Sequence, residues 1–261
     1  MSPRIHASVV EGPAAIAECQ RVRHQVYVVE KGLLSHDTTA LDREEDEYDA
    51  LDTTVHLLAR VDGEAVATVR LLRPNPHVAG AFGQAIGIGL AARYDLASLA
   101  VPGISLAEGS RLCVLPKHRG GAVFGALSAE MIRAGLRLGL THLVIAANTE
   151  TDSIEDAEIA YRVAVRDGFA SARFRVVPRR GASASGPSHR GIYTAEERAR
   201  ARAGDLTGLQ LPRMLRTFAE HLAARYMGPP IREKGYTVCS LPAVIDLEEA
   251  FRTQAFRRAI M

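Results

Sequence analysis

The chain has 261 residues, 47% of them hydrophobic and 24% charged, with a formal net charge of +2. This is the composition of a globular chain that buries about three quarters of its surface in one domain or at most two. No apolar run approaches the roughly eighteen residues of a membrane span, and the first residues lack the basic-then-apolar pattern of a secretion signal, so a cytoplasmic protein is expected. Cys19, Cys113 and Cys239 show neither CxxC nor Cys/His ligand spacing, which argues against a disulfide framework and a metal site. The charge is uneven: residues 1–130 hold 12 basic and 16 acidic side chains, residues 131–261 hold 20 and 14. An acidic partner would suit the second half. There is no tryptophan, and no aromatic residues are interleaved with the basic ones, so nucleic-acid binding has no support.

In chain order, Ile5 to Val10 alternates as a strand, and Gly12-Pro13 opens a helix with Ile16, Cys19, Val22, Val26 and Val29 on one stripe, closed by Gly32. Residues 42–52 carry seven acids and one arginine, too charged for a core. Val55–Val61 and Ala65–Leu72 read as strands joined through Asp62-Gly63, a strong hairpin signal. Residues 73–105 are rich in glycine, proline and alanine, and their length calls for a small helix or a functional flap. Leu106–Val114 reads as a strand, followed by the basic turn Pro116–Gly121 and a helix with Phe124, Leu127, Met131, Ala134 and Leu138 on one face. His142–Ala147 is a buried strand, Ile154–Asp167 a helix stopped by Gly168, and Phe169–Val177 a further strand. Residues 178–208 are poor in apolar residues and read as a mobile basic loop. A helix on Leu211, Leu215, Phe218, Leu222 and Tyr226, a strand over Thr237–Ile245 and a short terminal helix form a C-terminal extension, 209–261. The alternation of elements indicates an α/β (α+β) class in a single domain over 1–261.

GxSxG, the Walker phosphate loop, HExxH and GxGxxG are all missing, which removes the commonest hydrolase, nucleotide and metal readings. The turn Pro116–Gly121 joins a strand to a helix, where backbone N–H groups and Arg119 could hold a pyrophosphate; a basic turn is equally an ordinary solvated loop. Strand alternation places Glu108, Ser110 and Leu112 on one face and Arg111 and Cys113 on the other. Charges in a central strand need partners, supplied by a structural ion pair or by a working site. Asp46 and Asp49 are candidates to pair with Arg23, Arg70 or Arg111. Cys113 reads as core in preference to a thiol nucleophile.

Arg23 with Tyr27, Asp46-Glu47-Tyr48-Asp49, Arg70-Leu71-Leu72 and Glu108-x-Ser110-Arg111-Leu112-x-Val114 together resemble the acyl-homoserine-lactone autoinducer synthases, N-acyl amino acid synthases and ornithine-lipid N-acyltransferases of the GNAT superfamily. The resemblance spans about residues 20–177; the tail from Leu211-Pro212 to Leu247 looks more like the ornithine-lipid type. It implies a GNAT fold, a mixed, twisted sheet splayed between the fourth and fifth strands, where the thioester arm of an acyl donor inserts. It implies an N-acyltransferase that moves a medium- or long-chain fatty acyl group to the amine of an amino acid, amino-acid lipid precursor or peptide. The co-substrate is acyl carrier protein or acyl-coenzyme A, with no tightly bound cofactor, no metal and at most peripheral membrane contact. Glu108 is the candidate base. Arg23, Tyr27, Asp46, Asp49, Arg70, Ser110 and Arg111 form an acceptor pocket or a structural ion-pair network. Leu112, Cys113, Val114, Leu115, Arg119, Gly120, Gly121 and Phe124 are the candidate donor site. Ala122 and Phe124 stand where GNAT pyrophosphate turns usually have glycine or a small residue, and Ala164 stands where such enzymes often place a tyrosine that serves as general acid, Tyr161 being one turn too early. An autoinducer synthase acting on S-adenosylmethionine and a silent acyl-binding module are the alternatives.

Overall fold

The computed structural model describes residues 3–33, 42–184, 186, 188–234 and 236–253. The chain runs β1 (Ile5–Val10), α1 (Pro13–His24), β2 (Thr54–Val61), β3 (Glu64–Leu72), α2 (Pro76–Phe82), β4 (Tyr94–Asp95), β5 (Leu106–Val114) and α3 (Ala122–Arg137). It continues through β6 (His142–Asn148), α4 (Ile154–Arg166), β7 (Val177–Pro178), α5 (Ala195–Arg202) and α6 (Arg213–His221). β8 (Arg225–Tyr226), β9 (Ile231–Arg232), β10 (Cys239–Asp246) and α7 (Leu247–Arg252) complete the described fold. The main sheet has the order β1-β2-β3-β5-β6-β10-β8, with β9 also on β10; β4 and β7 form a separate ribbon. Every pairing in the main sheet is antiparallel except β5 with β6. Parallel neighbours need a crossover, and α3 supplies it. This is the GNAT-like mixed sheet that the resemblance implies.

Local chemistry explains most of the boundaries. Asp62 and Gly63 both take positive φ (50° and 96°), the geometry of the tight turn between β2 and β3. α3 buries Val123, Leu127, Met131 and Ala134 against the sheet, while Leu138, just past its end, is 39% exposed. The other sheet face is covered by residues 86–99, with Leu72, Leu106, Val144 and Val244 in the same cluster. The stretch 73–105 holds a small helix, α2, whose Asn75 side chain accepts from the N–H of His77 and Val78. Gly87 lies so close to this cap that a Cβ there would stand 1.9 Å from the Asn75 carbonyl oxygen. Gly87→Ala is therefore expected to destabilise the fold by about 1–3 kcal/mol, read from the denaturant midpoint.

Several expectations are corrected. The first helix changes to a wider π-helical turn at Gln25–Glu30, which advances the register and leaves Val29 62% exposed. Phe169–Val177 is not one continuous strand: Ala170 forms an isolated bridge with Tyr226 of β8, Val177–Pro178 pairs with β4, and Phe174 and Val176 between them are buried. The stretch 178–208 is not loop throughout. It contains α5, opened by a reciprocal cap between Thr194 and Glu197, and Asp156 accepts from the N–H of Ile192 and Tyr193 and pairs with Arg198. Asp152 likewise binds the Ser188 hydroxyl and the N–H of His189 and Arg190; burial pushes its carboxyl up, and these bonds hold it at about 2. The helix expected from Leu211 to Tyr226 ends at His221, where Ala223 takes a φ of 52° and the chain returns as β8. Of the stretches 178–208 and 209–261, residues 185, 187, 235 and 254–261 lie outside the described residues. Among the described residues no helix is long and apolar enough to cross a membrane, and no group of His, Cys, Asp and Glu could hold a metal.

Candidate active site

The parallel pair at the centre of the sheet comes apart halfway. β5 and β6 are in register from Leu106 opposite His142 to Gly109 opposite Ile145, and then diverge. The paired residues are buried, whereas Ser110, Arg111, Leu112, Ala146 and Asn148 beyond them are half-buried. Strand neighbours normally satisfy one another's backbone groups. Here the carbonyls of Leu112 and Val114 accept instead from side chains, the Tyr27 hydroxyl (3.3 Å) and the Arg119 Nε (3.1 Å). Leu115 is turned the other way, its N–H donating to the carbonyl of Val66 in β3.

A bulge sits at the opening. Arg70 faces Ser110 and Thr68 faces Cys113, so Arg111 and Leu112 together oppose the single residue Val69. Arg111 takes a φ of 57°, a left-handed conformation that costs a non-glycine residue energy. The extra residue breaks the expected alternation: Arg111 does not turn away from Ser110 but shares the Asp46 carboxylate with Arg70 and also reaches Glu44. Its Nε lies 2.9 Å from Glu44 and its Nη2 2.7 Å from Asp46, with the Tyr236 ring 5.8 Å from the guanidinium.

Around the bulge lies a buried ion network. Arg23, only 1% exposed, forks onto Asp49 and places Nε 2.6 Å from the Glu44 carboxylate. Arg70 binds Asp46, lies 2.7 Å from Asp49 and donates to the Ser110 hydroxyl at 3.1 Å. The structure thus brings together Arg23, Asp46, Asp49, Arg70, Ser110 and Arg111, and adds Glu44. Burial pushes the carboxyls of Asp46 and Asp49 up, yet the arginines outweigh it and hold both below their ordinary value. The acidic run 42–52 is therefore not excluded from the interior: Glu44 and Asp49 are buried because three arginines meet them there. Tyr27 and Tyr48 border the network, the second beneath Arg70 at 5.5 Å; burial pushes the Tyr48 hydroxyl up to about 12 and the Tyr27 hydroxyl well above its usual range.

Glu108 occupies the last paired stretch of β5, on the face opposite α3, and is 4% exposed. Its Oε2 accepts from the Leu90 N–H (2.7 Å) and its Oε1 from Arg93 (3.2 Å). Arg93 and its second partner, Glu233, carry no motif. The available signal is Arg93 itself, the one basic residue in the apolar stretch 85–105.

In the turn expected from the sequence to meet the donor, Gly120 and Gly121 take φ values of 127° and 113° ahead of α3, which has no side-chain cap. Arg119 is forked onto Glu30 at 2.6 Å through both nitrogens. Phe124 stacks on Phe218 with ring centres 6.3 Å apart. Cys113 is buried, its thiol bonded to the Arg111 carbonyl at 3.2 Å and pushed by burial up to about 12, the state of a core thiol and not of a nucleophile. Ala164 is fully buried in α4, and Tyr161 packs against the core.

Comparison with known proteins bears on this site. The sequence matches the family model "N-acyl amino acid synthase FeeM" over residues 18–153, just over half of the chain and all of the site residues from Arg23 to Phe124. No curated protein matches the sequence. The fold is similar to the structure of FeeM, an N-acyl amino acid synthase from uncultured soil microbes, with a TM-score of 0.54 and 11% identity over 99% of this chain and 98% of that one. It is also similar to a CoA-dependent acyl-homoserine lactone synthase, MesI, with a TM-score of 0.51 and 14% identity over 99% and 96%. At these identities the likeness is one of fold.

Proposed function

The chain belongs to the N-acyl amino acid synthase FeeM family and is an N-acyltransferase, and from that premise we propose that it moves a medium- to long-chain fatty acyl group to the amine of an amino acid, an amino-acid lipid precursor or a peptide. The donor is acyl carrier protein or acyl-coenzyme A. The observation that carries the reading is the position of Glu108, a buried carboxylate one residue from the point where β5 and β6 part.

Amide formation needs an ammonium to lose a proton, the free amine to attack a thioester carbonyl, and a thiolate to leave with a proton. In our reading the acyl arm lies in the gap beyond Gly109, and Glu108 takes the amine proton directly or through a water. Leu112 and Val114 turn their carbonyls to side chains at the open edge, so the Val114 N–H, on the same edge of the strand, is the donor that meets the carbonyl oxygen as it gains charge. Arg70, Ser110 and Arg111 wall the acceptor side. Arg23 and Asp49, deeper in the network, hold that wall in place.

Donor phosphate falls to Arg119, Gly120 and Gly121. Arg119 is occupied by Glu30, so an incoming phosphate must displace a carboxylate. The pair is partly exposed and worth about 1 kcal/mol or less. Glu30→Gln is expected to lower the KM for the acyl donor by roughly two- to five-fold with kcat unchanged; an unaltered KM would remove Arg119 from the donor site. On α3, Arg133 and Arg137 both pair with Glu130. Their side chains stay 38% and 57% exposed, so in our reading they join Lys117, His118 and Arg119 in the surface offered to an acidic carrier protein.

The experiment is untargeted mass spectrometry of lipids and small molecules from cells expressing the chain, compared with cells expressing Glu108→Ala. Amides present in the first and lost in the second identify acceptor and acyl length together. Methylthioadenosine in the same extracts would instead mark an autoinducer synthase acting on S-adenosylmethionine.

A further inference from the structure

Arg93 is shared between two buried carboxylates. It follows the turn Gly89–Ala92 and reaches Glu108 with Nη2 (3.2 Å) and Glu233 with Nη1 (2.5 Å). The remaining oxygens are also claimed: Leu90 N–H binds Glu108, and the Ser240 hydroxyl binds Glu233. Three separate parts of the chain, the insertion 73–105, β5 and the segment between β9 and β10, meet at this one guanidinium. The side chains of Glu108 and Glu233 are 5% and 10% exposed, so water does not replace what Arg93 provides.

The surrounding charges make this arrangement unlike the neighbouring network. There, Arg23, Arg70 and Arg111 stand against Glu44, Asp46 and Asp49, three against three, whereas among the described residues Arg93 is the cation paired with both Glu108 and Glu233. A guanidinium is planar and rigid, so fixing one edge fixes where the other edge lies. Glu233, itself held by Ser240 of β10, fixes the first edge; the second then sets the orientation of the Glu108 carboxylate. Without it, Glu108 has the Leu90 N–H as its remaining tie.

We propose that Arg93 is a positioning residue for the Glu108 carboxylate and that Glu233 fixes Arg93 in turn. This rests on the reading of Glu108 as the proton acceptor. Two measurements on the full chain test it. Crystal structures of Arg93→Gln and Arg93→Lys should show Glu108 displaced from the Leu90 N–H in the first and retained in the second. Product amide, compared in cells at matched levels of folded protein, should fall about 10- to 100-fold for Arg93→Gln and recover substantially for Arg93→Lys, with Glu233→Gln between them. If Arg93→Gln does not fold, Arg93→Lys and Glu233→Gln carry both readouts: in the crystal, Glu233→Gln should release Arg93 and shift Glu108. Glu108 unmoved in Arg93→Gln, or in Glu233→Gln where the first does not fold, overturns the proposal, as does an amide yield equal to that of the parent chain. Should the parent chain itself make no amide beyond Glu108→Ala, the role of Glu108 as base fails separately, and the crystal comparison still decides what positions it.

Discussion

Glu108→Gln is expected to lower kcat by roughly 10²- to 10⁴-fold, the contribution typical of a positioned base, while leaving the KM for the acyl donor within about twofold. Glutamine is close to isosteric, and its amide oxygen can still accept from the Leu90 N–H, so the β5 backbone and the gap beside it should persist. What is lost is the acceptor for the amine proton. The residual activity should then rise with pH, because more of the acceptor arrives already as the free amine and needs no base. Release of free thiol from the donor, followed in parallel with a thermal midpoint, separates this from unfolding. A Glu108→Gln enzyme with a kcat within threefold of the parent would leave Glu108 as a purely structural member of its trio with Arg93 and Glu233. Glu108→Ala is the harsher change, since it also leaves Arg93 with a single carboxylate and opens a cavity.

The sequence carried the frame of this molecule well, for reasons that can be located. Asp62-Gly63 fixes a hairpin locally, and α3 shows its buried stripe because a helix on a sheet buries one face. Most residues of the ion network were also legible one by one, since Arg70 and Arg111 lie in strands where a lone charge demands a partner; Glu44 was not among them. The geometry that joins them was not. The bulge at Arg111 inserts one residue against Val69, and nothing in the alternation of β5 announces it. The π-helical turn at Gln25–Glu30 is equally silent, yet it leads to Glu30, the residue that meets Arg119. The acidic run 42–52 looked like solvated surface because periodicity counts charges without their partners, and the partners come from α1, β3 and β5. α5 was missed differently: Thr194 and Glu197 form a capping box at the expected spacing, overshadowed by the glycine and serine before it. Arg93 and Glu233 are distant in sequence and joined only by the fold.

The largest effect on stability is expected from the network around Arg23. Its guanidinium is buried between Glu44 and Asp49, and Arg23→Ala would leave two carboxylates without it, a change that typically costs about 3–5 kcal/mol. The pH dependence identifies the cause. Burial raises the Asp49 carboxyl, but hydrogen bonds and charge from Arg23 and Arg70 outweigh it and hold the folded value well below the unfolded one, and Asp46 is lowered in the same sense. A carboxyl lowered on folding contributes stability that is complete above its unfolded value, about 4, and is lost as pH falls through the folded value. The parent chain should accordingly lose stability progressively as the pH drops below about 5. Asp49→Asn should start lower at pH 7 and decline less over the same acid range, because one of the lowered carboxyls is gone. Arg23→Ala should behave differently again. Its carboxylates repel at neutral pH and are relieved by protonation, so its deficit relative to the parent should shrink as pH falls. Denaturant midpoints for the three chains between pH 7 and pH 3 check this. Curves that stay parallel throughout would show that acid sensitivity arises outside the network, and the burial of Asp49 would then have to be compensated by something other than the two arginines that flank it.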